Sequence, residues 1–213
     1  MHRIRAFCFL RKEIKMLIPT VIDKTTQGER AYDIYSRLLE DRIIFLTGEI
    51  NQASANTVIA QMIFLEGKAA DKDIYLYINS PGGEVASAFA ILDTMNYIKC
   101  DVSTICIGLA ASAASLLLCC GAKGKRFALP NSEIMIHQPW LPQTGGQVTD
   151  LEITVSHVAR QKKKLTSIIA KQCGQTYEDV KEAMERDNWL DADAAKKFGL
   201  IDKIFINRDK EKK

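Results

Sequence analysis

Val102-Ser103-Thr104-Ile105-Cys106-Ile107-Gly108-Leu109-Ala110-Ala111-Ser112 opens a run without charge that continues to Ala122. Its length admits a membrane span. Its texture argues against one, because Gly108 divides it and Ser103, Thr104, Ser112 and Ser115 interrupt it. Val102 to Ile107 is rich in β-branched residues and reads as a buried strand. The run then turns, and a buried helix is predicted to begin near Ser112.

The same alternation extends outward in both directions. Upstream, Ala31, Ile34, Tyr35, Leu38 and Leu39 recur at helical spacing and predict a first helix. Arg42 to Leu46 reads as a buried strand, and Ala55, Val58, Ile59, Met62 and Ile63 as a second amphipathic helix. Ile74 to Ile78 is a strand that breaks at Pro81-Gly82-Gly83, before a third helix through Val85, Leu92, Met95 and Ile98. Downstream, Glu133 to Ile136 reads as a strand. Thr149 with Glu152 forms a capping box that would open a long helix ending near Gly174. Thr176 with Asp179 starts a short helix, and Asp191 and Gly199 bracket another before a strand around Ile201 to Phe205. Strands alternating with helices indicate an α/β domain.

At 213 residues the chain fits one domain with a sizeable core, expected over 16–213. The net charge of +3 is uneven. Residues 1–15 carry Arg3, Arg5, Arg11, Lys12 and Lys15 against one acid, Glu13, so the remainder is near neutrality and bulk charge gives no nucleic-acid reading. That basic leader fits an organelle transit peptide, an upstream translation start or a removable propeptide equally well. Lys162-Lys163-Lys164 lies in a helical pattern and reads as a solvated face, as does His157. The tail from Arg208 to Lys213 reads as a frayed end. Six cysteines without a C-x-x-C pair suit a reducing compartment, and no zinc-ligand spacing is visible.

Three short strings carry chemistry: Gly108-Leu109-Ala110-Ala111-Ser112, Met135-Ile136-His137-Gln138-Pro139 and Glu185-Arg186-Asp187. A serine hydroxyl is a weak nucleophile at neutral pH. It needs a base to take its proton, and the base needs a carboxylate to fix its tautomer and stabilise its cation. The chain order Ser, His, Asp differs from that of α/β-hydrolases, and no G-x-S-x-G elbow is present, so another scaffold must hold the relay. Each residue alone has an ordinary reading: a packing serine, a structural histidine, a loop carboxylate. Ser112 stands out because it follows a β-branched strand, opens a helix and has only small neighbours.

These strings resemble those of the ClpP peptidase family, the proteolytic chamber of ATP-dependent Clp proteases. The resemblance also takes in Leu17-Ile18-Pro19-Thr20, Gly28-Glu29-Arg30, the stretch Tyr32 to Leu39, Asp73 to Gly83, Gly121 to Phe127 and Gly199-Leu200-Ile201-Asp202. It implies a ClpP/crotonase-like fold of repeated β-β-α units with a protruding handle helix and strand. It implies Ser112 as nucleophile, His137 as general base and then acid, and Asp187 as orienting carboxylate. Backbone N–H groups of Gly83 and Ala113 would form the oxyanion hole. The resemblance further implies two stacked heptamers, and a hexameric AAA+ unfoldase of ClpX, ClpA or ClpC type that spends ATP and feeds in unfolded polypeptide. Tyr77 and Tyr97 would fall in the docking cleft, and Glu185 and Arg186 would pair across the rings. No cofactor or metal in this chain, no membrane and no nucleic acid are expected, and the location would be cytoplasmic, or an organelle matrix if 1–15 is a transit peptide.

The chain departs from the family pattern at Ala113, where relatives usually have methionine, and at Ala114-Ser115. The stretch Trp140 to Gly146 is one residue longer than usual, and its Pro142 has no N–H for an added strand. These departures bear on the primary specificity pocket and the handle. A non-catalytic ring subunit is the first rival, although such paralogues lose triad members. A crotonase-type acyl-CoA enzyme is the second, and it would need neither Ser112 nor His137.

Overall fold

The computed structural model describes residues 17–25, 28–141 and 145–207. The expectations for the leader, for Pro142 and for the 208–213 tail lie outside these residues. The contacts divide the chain after Arg37.

In the first unit, β1 (Thr20–Thr25) and β2 (Gly28–Asp33) form an antiparallel hairpin, with Thr20 opposite Asp33 and Thr25 opposite Gly28. The hairpin corrects the sequence reading. Ala31, expected in a helix, pairs with Ile22, and α1 (Ile34–Glu40) begins only after Asp33. The Asp33 carboxylate accepts from the Ser36 N–H at 2.9 Å, as a helix-capping residue does. Strand pairing and this cap override the helical spacing of Ala31 with Ile34.

The second unit alternates strand and helix: β3 (Ile43–Thr47), α2 (Gln52–Lys68), β4 (Ile74–Ser80), α3 (Val85–Tyr97), β5 (Val102–Ala111) and α4 (Ala113–Cys119). Then come β6 (Arg126–Ala128), β7 (Glu133–Ile136), α5 (Val148–Cys173), α6 (Tyr177–Ala183), β8 (Asn188–Asp191), α7 (Ala192–Phe198) and β9 (Lys203–Ile204). The parallel path runs β3-β4-β5-β6-β9. β4 alternates buried and open positions, as a sheet with one packed face requires. The packed face meets α2 through Val58, Met62 and Leu65, α3 through Ile91 and Met95, and α4, all of whose residues are buried. On the other face Phe45 stacks on Tyr77, and Phe127 on Phe205. No helix among the described residues is long and apolar enough to cross a membrane.

β5 decides where the site lies. It runs four residues beyond the expected end at Ile107 and serves two neighbours in succession. Thr104 to Cys106 pair with β6, and Leu109 to Ala111 pair with β7. Between them its register against β4 shifts after Ile78, and the Asn79 side chain fills the gap by accepting from the Leu109 N–H at 3.2 Å. This bulge at Gly108 is why the strand continues where the sequence suggested a break. Ser132 pins the fork: its hydroxyl donates to the Cys106 carbonyl at 2.9 Å and accepts from the Gly108 N–H at 3.3 Å. β8 then adds antiparallel to β7.

The caps read for α6 and α7 are present, and the one read for α5 is not. Thr176 caps α6 through the Asp179 N–H at 3.1 Å, and Asp191 caps α7 through the Ala194 N–H at 2.8 Å. α5 begins at Val148 with Gln147 as its cap and no side-chain cap bond, so Thr149 lies inside the helix and the Thr149–Glu152 capping box does not form. The five described cysteines are free, and burial pushes the Cys106 thiol up to about 11.

Arg126, the first residue of β6, is buried. Its guanidinium donates to both Asp202 oxygens, at 3.0 and 2.6 Å, and to the carbonyls of Cys119, Gln172 and Gly199. It thereby ties the ends of α4, α5 and α7 to β6. Truncating one partner of a buried pair strands the other charge and costs about 3–5 kcal/mol. Arg126→Met should lower unfolding free energy by about that amount in urea titration. Burial alone would raise the Asp202 carboxyl, but its bonds to Arg126 hold it below its usual value. A depressed carboxyl stabilises above its unfolded pKa and loses that contribution as pH falls through the folded one. The acid sensitivity of the native chain should therefore shrink in Arg126→Met.

Candidate active site

The turn from β5 into α4 consists of Ser112 alone. It adopts φ 56° and ψ −122° and, with Arg42, is one of two non-glycine residues at positive φ among the described residues. Such a conformation costs on the order of 1–3 kcal/mol and persists only where surroundings enforce it. Here the Ser112 N–H donates to the Met135 carbonyl at 2.8 Å, while its own carbonyl accepts from the Ser115 hydroxyl and N–H. Gly82 closes from the other side. A Cβ there would lie 2.8 Å from Ser112 Cβ and 2.6 Å from the Ala111 carbonyl oxygen, so only glycine fits. A Cβ on Gly83 would run into the Ile50 backbone.

Strand register delivers the other two groups. β7 and β8 pair Ile136 with Asn188, so the next facing positions along the ladder are His137 and Asp187. His137 Nδ1 lies 2.9 Å from Asp187 Oδ1, and its Nε2 lies 2.8 Å from Ser112 Oγ. Donation from Nδ1 to the carboxylate leaves Nε2 as an acceptor aimed at the serine hydroxyl. The imidazole is 22% exposed and the carboxylate 62%. The arrangement can draw the Ser112 proton onto His137 while Asp187 steadies the resulting cation.

Ala113 carries the first N–H of α4, and helix geometry gives such a group no intrahelical acceptor. The Gly83 residue follows the Gly82 that packs on Ser112, and it bridges to Ile50. Ala113 thus adjoins the serine turn directly, and Gly83 stands one residue beyond the glycine packed on it. Beside Ser112 a narrow apolar cavity of about 20 Å³ is lined by Val85, Ala88, Ala113, Leu116, Ile169 and Met184. A wider groove of about 470 Å³ runs between Pro139–Leu141 and the α5 residues Val155, Val158 and Ala159.

Of the remaining residues singled out in the sequence, Glu185 and Arg186 adjoin Asp187 and line the wider groove with His137, while the two tyrosines lie elsewhere. Tyr77 is half-buried on β4, whereas Tyr97 ends α3 with 85% of its surface exposed. Arg186 is 86% exposed at its side chain and donates to the Glu185 carbonyl at 3.0 Å. His157 is exposed, as read.

Sequence reading missed Lys162 and Gln138. The solvated-face reading holds for Lys163 and Lys164, although Lys164 also stands 4.3 Å over the Phe89 ring. It fails for Lys162, which is half-buried and donates to Gln138 Oε1 at 2.6 Å and to Glu185 Oε2 at 3.3 Å. The Lys162 bond is the foremost cause that holds the Glu185 carboxyl below its usual value. A signal was present: Lys162 stands three residues before Leu165 and seven before Ile169, on the buried stripe of α5. Residues 26–208, nearly the whole chain, match the family model described as Clp protease.

Proposed function

The chain belongs to the Clp protease family, and we propose on that premise that it is the serine endopeptidase subunit of an ATP-dependent Clp protease. The hydrogen-bonded chain Ser112 Oγ–His137–Asp187 carries the reading. Ser112 Oγ attacks the scissile carbonyl as its proton passes to His137 Nε2. The tetrahedral oxyanion is met by the Gly83 and Ala113 N–H groups, each worth about 2.7–4 kcal/mol in comparable holes. His137 then gives the proton to the leaving amine, and an acyl-enzyme remains on Ser112. Water attacks that ester, with His137 as base, and frees the second product and the serine. The substrate lies extended beside Gly82-Gly83 by strand addition. Its side chain next to the scissile bond enters the narrow cavity by Ala113 and Leu116.

The same reading assigns two stacked heptamers, with Glu185 and Arg186 between the rings, and a hexameric AAA+ unfoldase of ClpX, ClpA or ClpC type docked over Tyr77 and Tyr97, in the cytoplasm. The exposed aromatic face of a mostly parallel sheet supports burial by partners, because parallel sheets ordinarily have both faces covered. The chain has no G-x-x-x-x-G-K-[ST] loop, so ATP belongs to the unfoldase and no cofactor to this subunit.

Opening a folded substrate costs about 5–15 kcal/mol, which peptide hydrolysis does not supply beforehand. The purified chain should cleave short unstructured peptides without ATP and should take a fluorophosphonate label at Ser112. It should degrade a stable folded domain only with an unfoldase and ATP. Failure to label with no peptide turnover would point to the non-catalytic ring subunit. Rapid degradation of the folded domain by this chain alone would overturn the chamber reading.

A further inference from the structure

We propose that Lys162 is a positioning residue, which holds His137 against Asp187 by clamping Gln138 to the Glu185 loop; the inference rests on the peptidase reading above. The β7–β8 ladder ends at Ile136 and Asn188, and His137 and Asp187 lie just beyond it. Past that point two bonds close the open end. The Gln138 N–H donates to the Met184 carbonyl at 2.7 Å, and Gln138 Nε2 donates to the Glu185 carbonyl at 2.9 Å. The second bond needs the carboxamide in one of its two flips. Lys162 selects that flip, because its ammonium can only donate and takes Oε1 at 2.6 Å, which leaves the amide nitrogen facing Glu185. A second donation, at 3.3 Å, holds the Glu185 carboxylate two residues before Asp187.

The clamp comes from a third element. α5 is neither β7 nor β8, so Lys162 fixes both strand ends to an external reference. The charged groups around His137 are Asp187, Glu185, Arg186 and Lys162. Arg186 is turned toward its own loop, 3.6 Å from Glu185 Oε1, and does not bond Gln138. An ordinary exposed Lys–Glu pair would be worth little. The distinguishing feature is that the same ammonium also holds the neutral Gln138, adjacent in sequence to the imidazole it steadies.

The test uses the full chain and a short fluorogenic peptide. Lys162→Met keeps the stem and helix propensity and removes only the donor. kcat should fall about tenfold, within the up to 10²-fold that a displacement near 1 Å can cost. KM should stay within a factor of two, and Lys162→Arg should restore at least half of kcat. Gln138→Leu should show the same loss, and the double variant no greater loss than either single one. The kcat-against-KM split and the rescue by Lys162→Arg separate positioning from a general loss of structure. Unchanged kcat in both single variants would overturn the proposal. If Lys162→Met does not fold, Gln138→Leu carries the kcat and KM tests alone. Full activity of Lys162→Met beside an inactive Ser112→Ala sinks this inference only, whereas an active Ser112→Ala sinks the peptidase reading itself.

Discussion

Ser112→Ala is expected to abolish peptide hydrolysis, by about 10⁴-fold or more in kcat, with the fold intact. The substitution removes the one atom that His137 Nε2 faces at 2.8 Å and leaves the volume of the turn almost unchanged. Ser112 holds its place through its backbone, by donation to Met135 and acceptance from Ser115, so alanine keeps those bonds. Relief of strain does not accompany the change, because alanine at φ 56° is as restricted as serine. Circular dichroism and sedimentation should therefore match the parent chain while turnover disappears. Other triads behave this way, retaining only what the oxyanion hole and binding supply. Retention of a tenth of parental kcat would remove Ser112 from the nucleophile's place. His137→Ala should be similarly severe, for it deletes the proton acceptor.

Asp187→Asn should cost about 10³–10⁴-fold in kcat with little change in KM. Asparagine is isosteric, so the His137 Nδ1 contact at 2.9 Å remains sterically available. What changes is its polarity. When the amide nitrogen faces Nδ1 it donates, which forces the ring proton onto Nε2 and presents a donor, not an acceptor, to Ser112. The imidazolium formed during attack also loses its counter-charge. A comparable exchange in another triad costs about 10⁴. Measurement of kcat, with fluorophosphonate labelling of Ser112 slowed in parallel, checks the expectation, and a loss under tenfold would show that the carboxylate does not govern the tautomer.

Much of this arrangement is legible in the chain itself. Strand β7 has the bounds read from sequence, and Thr176 and Asp191 cap the helices assigned to them. Ser112, His137 and Asp187, picked from three separate strings, come together in space. The illegible parts share a cause. β8 contains Asn188, Trp189, Leu190 and Asp191, four residues without a β-branched side chain, and it is a strand because β7 offers an edge. The β1–β2 hairpin likewise arises from pairing that local helical spacing conceals. The far half of β5 depends on a side chain from another strand, Asn79, filling the bulge at Gly108. Lys162 was hidden by its neighbours, because three consecutive lysines look alike in composition and only helix phase distinguishes the one that turns inward.

The fork in β5 has a consequence for register. Its far half leads into Ser112 and pairs with β7, whose ladder with β8 leads into His137 and Asp187, while Ala110 stays paired with Ser80 of β4. The three groups therefore meet only when two successive registers, β5 with β7 and β7 with β8, are both correct. A single-residue slip between β7 and β8 turns either His137 or Asp187 to the opposite side. Deleting one residue from 133–136 should therefore cost nearly all turnover, because every side chain beyond the deletion changes face.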